Sequence, residues 1–199
     1  IKQLGFQQDG DDADLFVLKN PERTWHLRLA HSSVGPDDDA NRKDSFQPWQ
    51  SSHASRLFFE GLNEGGLVLY DGHSRDGGGP DFGPPKVTPS HHIDYYWYRV
   101  QQPGLLRLQQ VLNDAKQPAK VLGLFSCASD AFFSETIRKA QPDMALVSSR
   151  ELIYHSDAMK NLEGLIKAVV GNYCSPAFDS AVAAESKGGK TKIEGFLAN

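Results

Sequence analysis

At 199 residues, with 39% hydrophobic and 23% charged residues, the chain can build one substantial core and has little surplus for a second. A formal net charge of -4 leaves it without a broad basic face, so nucleic acid is not an expected partner, and no apolar run approaches a bilayer span, so membrane insertion is not expected either. Two cysteines, Cys127 and Cys174, exclude a disulfide-rich scaffold and leave either one bridge or two free thiols, which fits a soluble protein of the cytoplasm or the secreted space equally.

The chain begins at Ile1 rather than Met, so a trimmed, matured or partial sequence is expected, with any targeting segment outside it. Residues 1–14 end in the acidic Asp9-Gly10-Asp11-Asp12-Ala13-Asp14 and are expected to be peripheral. Leu15-Phe16-Val17-Leu18 is a short apolar run suited to a strand, and a second strand is predicted over Trp25 to Ala30, where Trp25, Leu27 and Leu29 alternate with polar residues. His31 to Ser52, with Gly35-Pro36 and Gln47-Pro48, is expected to be a long loop. A helix capped by Ser52 or Ser55 should carry Leu57, Phe58, Phe59 and Leu62 and stop at Asn63 and the glycines Gly65-Gly66.

Leu67-Val68-Leu69-Tyr70 then predicts a buried strand that runs out at Asp71-Gly72-His73. The Gly- and Pro-rich stretch from Ser74 to Pro85 is suited to a loop beside a cleft, and the aromatic segment His91 to Val100 to a packed loop or a further strand. Leu105, Leu108, Val111 and Leu112 recur at helical spacing, and Pro118 ends that helix before a second buried strand, Val121 to Ser126. A helix from Ser129 or Asp130 to Ala140, a strand from Met144 to Val147 and a helix after Ser156-Asp157 that stops at Gly171-Asn172 follow. Phe178 to Ala184 is compatible with a short helix or strand, and 185–199, with Lys187, Lys190 and Lys192, with a peripheral solvated tail. The alternation of strand and helix predicts a single α/β domain over 1–199, a three-layer α/β/α sandwich around a mostly parallel sheet.

Both buried strands end on a side chain that can do chemistry. If the strands are parallel neighbours, His73 and Cys127 emerge at one sheet edge, where open α/β sheets carry their ligand sites. A thiol attacks as thiolate and needs a base or a positive field beside it; His73 can supply the base, and the helix after Cys127 the field.

In this respect the sequence resembles the caspase-like clan of cysteine peptidases, which includes caspases, metacaspases, legumains, gingipains, clostripain and separase. The resemblance rests on an apolar strand ending in histidine, a later apolar strand ending in a small residue and cysteine, and the order His then Cys about 50 residues apart. It covers mainly residues 55–149. It implies a caspase-like fold and a cysteine endopeptidase acting on a peptide or protein substrate through an acyl-enzyme, with no cofactor. Cys127 would be the nucleophile, His73 would protonate the leaving amine, and the N–H groups of Ser74 and Cys127 would bind the oxyanion. Ser74 stands where the family carries glycine. The pocket for the residue before the cut would draw on Ser33, Phe125, Ser148 and Arg150, with Asp76 and Asp81 near the cleft. The acids would favour a basic residue there and Arg150 an acidic one. The alternative from another class is a catalytically silent caspase-like domain that binds or scaffolds.

Other clusters carry less. His91, His92 and Asp94, with His73, suggest metal ligands, but adjacent histidines diverge and no HExxH or C-x-x-C spacing accompanies them, so no metal is expected. The acidic runs 9–14 and 37–39 lack the glycine and distal glutamate of a calcium loop and are expected to be surface.

Overall fold

The computed structural model describes residues 1–64, 66–174, 176–183 and 190–196. Strands β1 (Gln7–Gln8), β2 (Leu15–Lys19) and β3 (Thr24–Arg28) form an antiparallel three-stranded sheet of their own. The two strands expected near the N-terminus are therefore present, but outside the main sheet. Their acidic approach folds on itself: Asp9 Oδ1 accepts from the N–H groups of Asp11 and Asp12, and Asp12 pairs with Arg28 at 2.7 Å. Phe6 is buried, so this end is less peripheral than its polarity implies.

Helices α1 (Asp38–Asn41) and α2 (Gln47–Gly61) interrupt the segment expected to be a loop. Asp37 caps α1 by accepting from Ala40 N–H at 2.8 Å, and Pro48 stands in the first turn of α2, where its missing N–H costs nothing. The predicted cap at Ser52 or Ser55 is thus corrected; the helix starts earlier, at a proline that resembles a loop signal. A second correction falls in the aromatic segment, where α3 (Tyr95–Gln101) forms under a cap from Asp94 to Trp97 N–H at 2.9 Å.

The main sheet has the order β4 (Leu67–Asp71), β5 (Val121–Phe125), β6 (Ala145–Ser149), β7 (Thr191–Glu194). The first three are parallel, with Asp71 level with Phe125 and Leu124 with Ser148, and β7 runs antiparallel to β6. The tail expected to be peripheral therefore supplies a strand of the main sheet, and Lys192 is paired with Asp130 at 3.0 Å and Glu194 at 3.2 Å. Lys187 and Ala184 lie outside the described residues. Helices α4 (Pro103–Asp114), α5 (Ser129–Ala140) and α6 (His155–Val170) follow the predicted periodicity, although α6 starts at His155, ahead of the expected Ser156-Asp157 cap, which falls in its first turn, and α7 (Ala177–Val182) takes the helical option for its segment.

Side chains alternate along each strand. Val68, Tyr70, Leu122, Leu124 and Leu146 enter one apolar cluster with residues of α2, α4 and α5, whereas Phe125 and Val147 enter a second with residues of α6 and α7. Leu108, Leu112 and Leu122 are wholly buried, each contributing about 1.5–3 kcal/mol of transfer free energy. The chain is thus a mixed α/β fold with a four-stranded mixed sheet. No helix among the described residues is long and apolar enough to cross a membrane.

Candidate functional site

Two residues past the level pair Asp71 and Phe125, the chain places His73 at the end of β4 and Cys127 at the end of β5. Gly72 N–H reaches across to Phe125 O at 3.4 Å, so the two strand ends stay side by side beyond the ladder. Cys127 is half-buried and free, Cys174 is exposed and free, and the bridge between them is excluded. The Cys127 thiol donates to Ile153 O, in the connection after β6, at 3.6 Å. Among the described residues the His73 ring makes no hydrogen bond or ion pair, and none joins it to Cys127.

Burial pushes the His73 pKa below that of an ordinary histidine, the Arg75 guanidinium adds to the effect, and Asp38 and Asp81 oppose it. The folded state therefore favours the neutral ring. As pH falls below about 6.5, the unfolded chain takes up a proton that the folded ring resists, so stability declines on acidification and levels off below the folded pKa. His73→Gln should show a shallower loss between pH 7.5 and 5 in denaturant titrations; an identical slope would remove His73 from this account.

The loop after His73 is built on Tyr70. Its buried hydroxyl shares one proton between His73 O at 3.0 Å and Asp81 O at 2.9 Å, and accepts from Asp81 N–H at 3.0 Å. Asp81 Oδ2 in turn receives Arg75 Nε and Tyr98 OH, both at 2.9 Å. Arg75 and Asp76 hold left-handed conformations, φ 48 and 54, secured by the Arg75–Asp81 pair and by Arg99 on Asp76 at 2.6 Å. Ser74 has φ -72 and ψ -16, ordinary right-handed helical values open to any residue. Its position needs no glycine. The N–H groups of Ser74 and Cys127 donate to no acceptor among the described residues.

Close approach governs the back of this loop. Gly104 N–H donates to Gly78 O at 2.8 Å; a side-chain carbon on Gly104 would collide with Pro80 O, and one on Gly79 would meet His73 O at 2.6 Å.

The other sequence candidates divide. Phe125, 1% exposed, belongs to the core and has no side chain left to line a cleft, and Asp76 and Asp81 are already paired with arginines. Ser148 is wholly buried with an unpartnered Oγ among the described residues, Arg150 is exposed, and Ser33 is exposed on a loop whose neighbours Ser32 and Val34 bond to Gln47. His91 and His92 are exposed, Asp94 is a helix cap, and the described residues hold no group of three or more His, Cys, Asp or Glu suited to a metal.

Two neighbours of the site escape a sequence reading. Asp71 Oδ2 is buried and faces His155 Nδ1 at 3.4 Å, an ion-pair distance without hydrogen-bond alignment. Burial raises the Asp71 pKa, and His155 pulls it back. An acid inside an apolar strand is the signal that marks Asp71; His155, at a helix start, carries none. Ser126 and Ser149 add further buried hydroxyls that have no partner among the described residues, at the strand ends. A surface groove of about 570 Å³ between α2 and α4, lined by Arg56, Phe59, Glu60, Arg107, Val111 and Asp114 among others, includes neither His73 nor Cys127. No known family model, curated protein or solved structure matches the chain.

Proposed function

We propose that the chain is a caspase-like cysteine peptidase, a three-layer α/β/α domain in which Cys127 attacks a peptide carbonyl and His73 exchanges the proton. The observation that carries this reading is the level parallel pairing of β4 and β5, which brings a histidine and a cysteine to adjacent strand ends. The N–H groups of Ser74 and Cys127, which have no acceptor among the described residues, support it as donors for a developing oxyanion. Attack forms the S–C bond and a tetrahedral oxyanion; its collapse, with a proton delivered to nitrogen from His73, expels the amine and leaves a thioester that water hydrolyses.

The silent binding module is favoured by one observation, that the thiol bonds to Ile153 O and not to His73. A peptidyl electrophile followed by peptide mapping separates the two. The peptidase reading expects labelling at Cys127 together with cleavage within a broad peptide library; a chain that is neither labelled there nor active is the silent module.

A further inference from the structure

The connection between β6 and α6, residues 150–154, passes over the end of β5 and is tied on both sides. Arg150 N–H donates to Lys190 O at 2.7 Å, and Ala128 N–H donates to Glu151 O at 2.8 Å. Ile153 packs against the cluster of Phe125 and Val147 while its carbonyl accepts the Cys127 thiol at 3.6 Å. His155, the first residue of α6, then reaches back to Asp71 on β4 at 3.4 Å. Between these ties Leu152 and Tyr154 are 76% and 78% exposed, and the exposed Glu151 side chain adds an ion pair with Lys190 at 4.0 Å.

We propose that this segment is a strap that keeps Cys127 at rest, with the Asp71–His155 ion pair as its latch. The proposal rests on the peptidase reading for what the thiol does once released. An S–H···O=C contact lasts only while the proton stays on sulfur. A thiolate has no proton to donate and would set its charge against the carbonyl lone pairs, so forming the nucleophile and lifting Ile153 away go together. The latch is suited to opening, because an ion pair with one solvent-exposed member is a weak tie. Its buried member matters more: Asp71 Oδ2 has no hydrogen-bond partner among the described residues, so the 3.4 Å approach of His155 is the charged contact it makes at that end of the strap.

The test is the rate at which iodoacetamide alkylates Cys127, read by intact mass in a Cys174→Ser background that leaves a single thiol. Alkylation forms the S–C bond and releases iodide, and requires no peptide hydrolysis. His155→Ala is expected to react about threefold faster than its parent, the scale of losing one weak ion pair. Asp71→Asn, which keeps the shape and removes the charge, is expected to change the rate in the same direction and serves where the first variant folds poorly. Rates no faster than the parent overturn the strap, and a slower rate for His155→Ala assigns that imidazole to assisting ionisation instead. A parent that cleaves no peptide removes the peptidase reading and leaves the alkylation ratio meaningful; an active parent with a ratio of one removes the strap alone.

Discussion

On the proposed peptidase reading, Cys127→Ala is expected to abolish peptide hydrolysis, by at least about a thousandfold, while the protein melts within about 3 °C of its parent. The asymmetry follows from where the sulfur sits: half-buried, beyond the last residue of β5, with one long hydrogen bond to Ile153 O to lose. The neighbouring core residue Phe125 carries the packing, and Cys127 adds little to it. His73→Ala should cost about a hundred- to ten-thousandfold, the range of a lost acid–base group. Because burial and Arg75 lower the His73 pKa, the acidic limb of kcat/KM should lie below the ordinary histidine range, and it should vanish in the His73 variant. A Cys127→Ala protein that retains more than a tenth of its activity would place the nucleophile elsewhere.

Tyr70→Phe is the second large effect, and here stability falls first. The ring stays, in edge contact with Phe58 at 5.7 Å and Phe82 at 5.4 Å, so no cavity opens. What disappears is the hydroxyl that ties together His73 O, Asp81 O and Asp81 N–H. Leaving such groups without a partner in a buried loop costs about 2–3 kcal/mol, about 5–10 °C in Tm for a chain of this size. Activity should fall with it, since the anchor of the His73 backbone is gone. Melting followed by circular dichroism checks the first part. A shift under about 1 °C would mean that the three groups find other partners.

The parts of the fold legible in the sequence are those in which burial dictates composition. Leu67-Val68-Leu69-Tyr70 and Val121-Leu122-Gly123-Leu124-Phe125 are apolar on both sides because their side chains enter both clusters, and α4 repeats leucine at the helical period because one face meets the core. Where one signal competes with another, the reading goes astray. Tyr95, Tyr96 and Trp97 favour strands by type, but Asp94 caps them into a helix. β7 offers one apolar residue, Ile193, and is held by its ladder to β6 and the ion pairs of Lys192. The histidine and the cysteine of the site are visible because each follows an apolar run. The meeting of Asp71 with His155 is not, because it depends on how α6 returns across the sheet, which no local spacing encodes.

Nothing in α4 looks chemical: it is a leucine-rich helix opened by Pro103-Gly104. Yet its first turn, the backbone at Gly79 and the carbonyl of His73 are stacked so tightly that no side chain fits at either glycine. The helix acts as an anvil behind the backbone of the His73 loop. A methyl group added at Gly104 would press on Pro80 O and on the Gly79 backbone, and any shift of Gly79 would press in turn on His73 O. Damage at this helix end would therefore reach the backbone of His73, and the sequence that matters to the histidine extends some thirty residues beyond it.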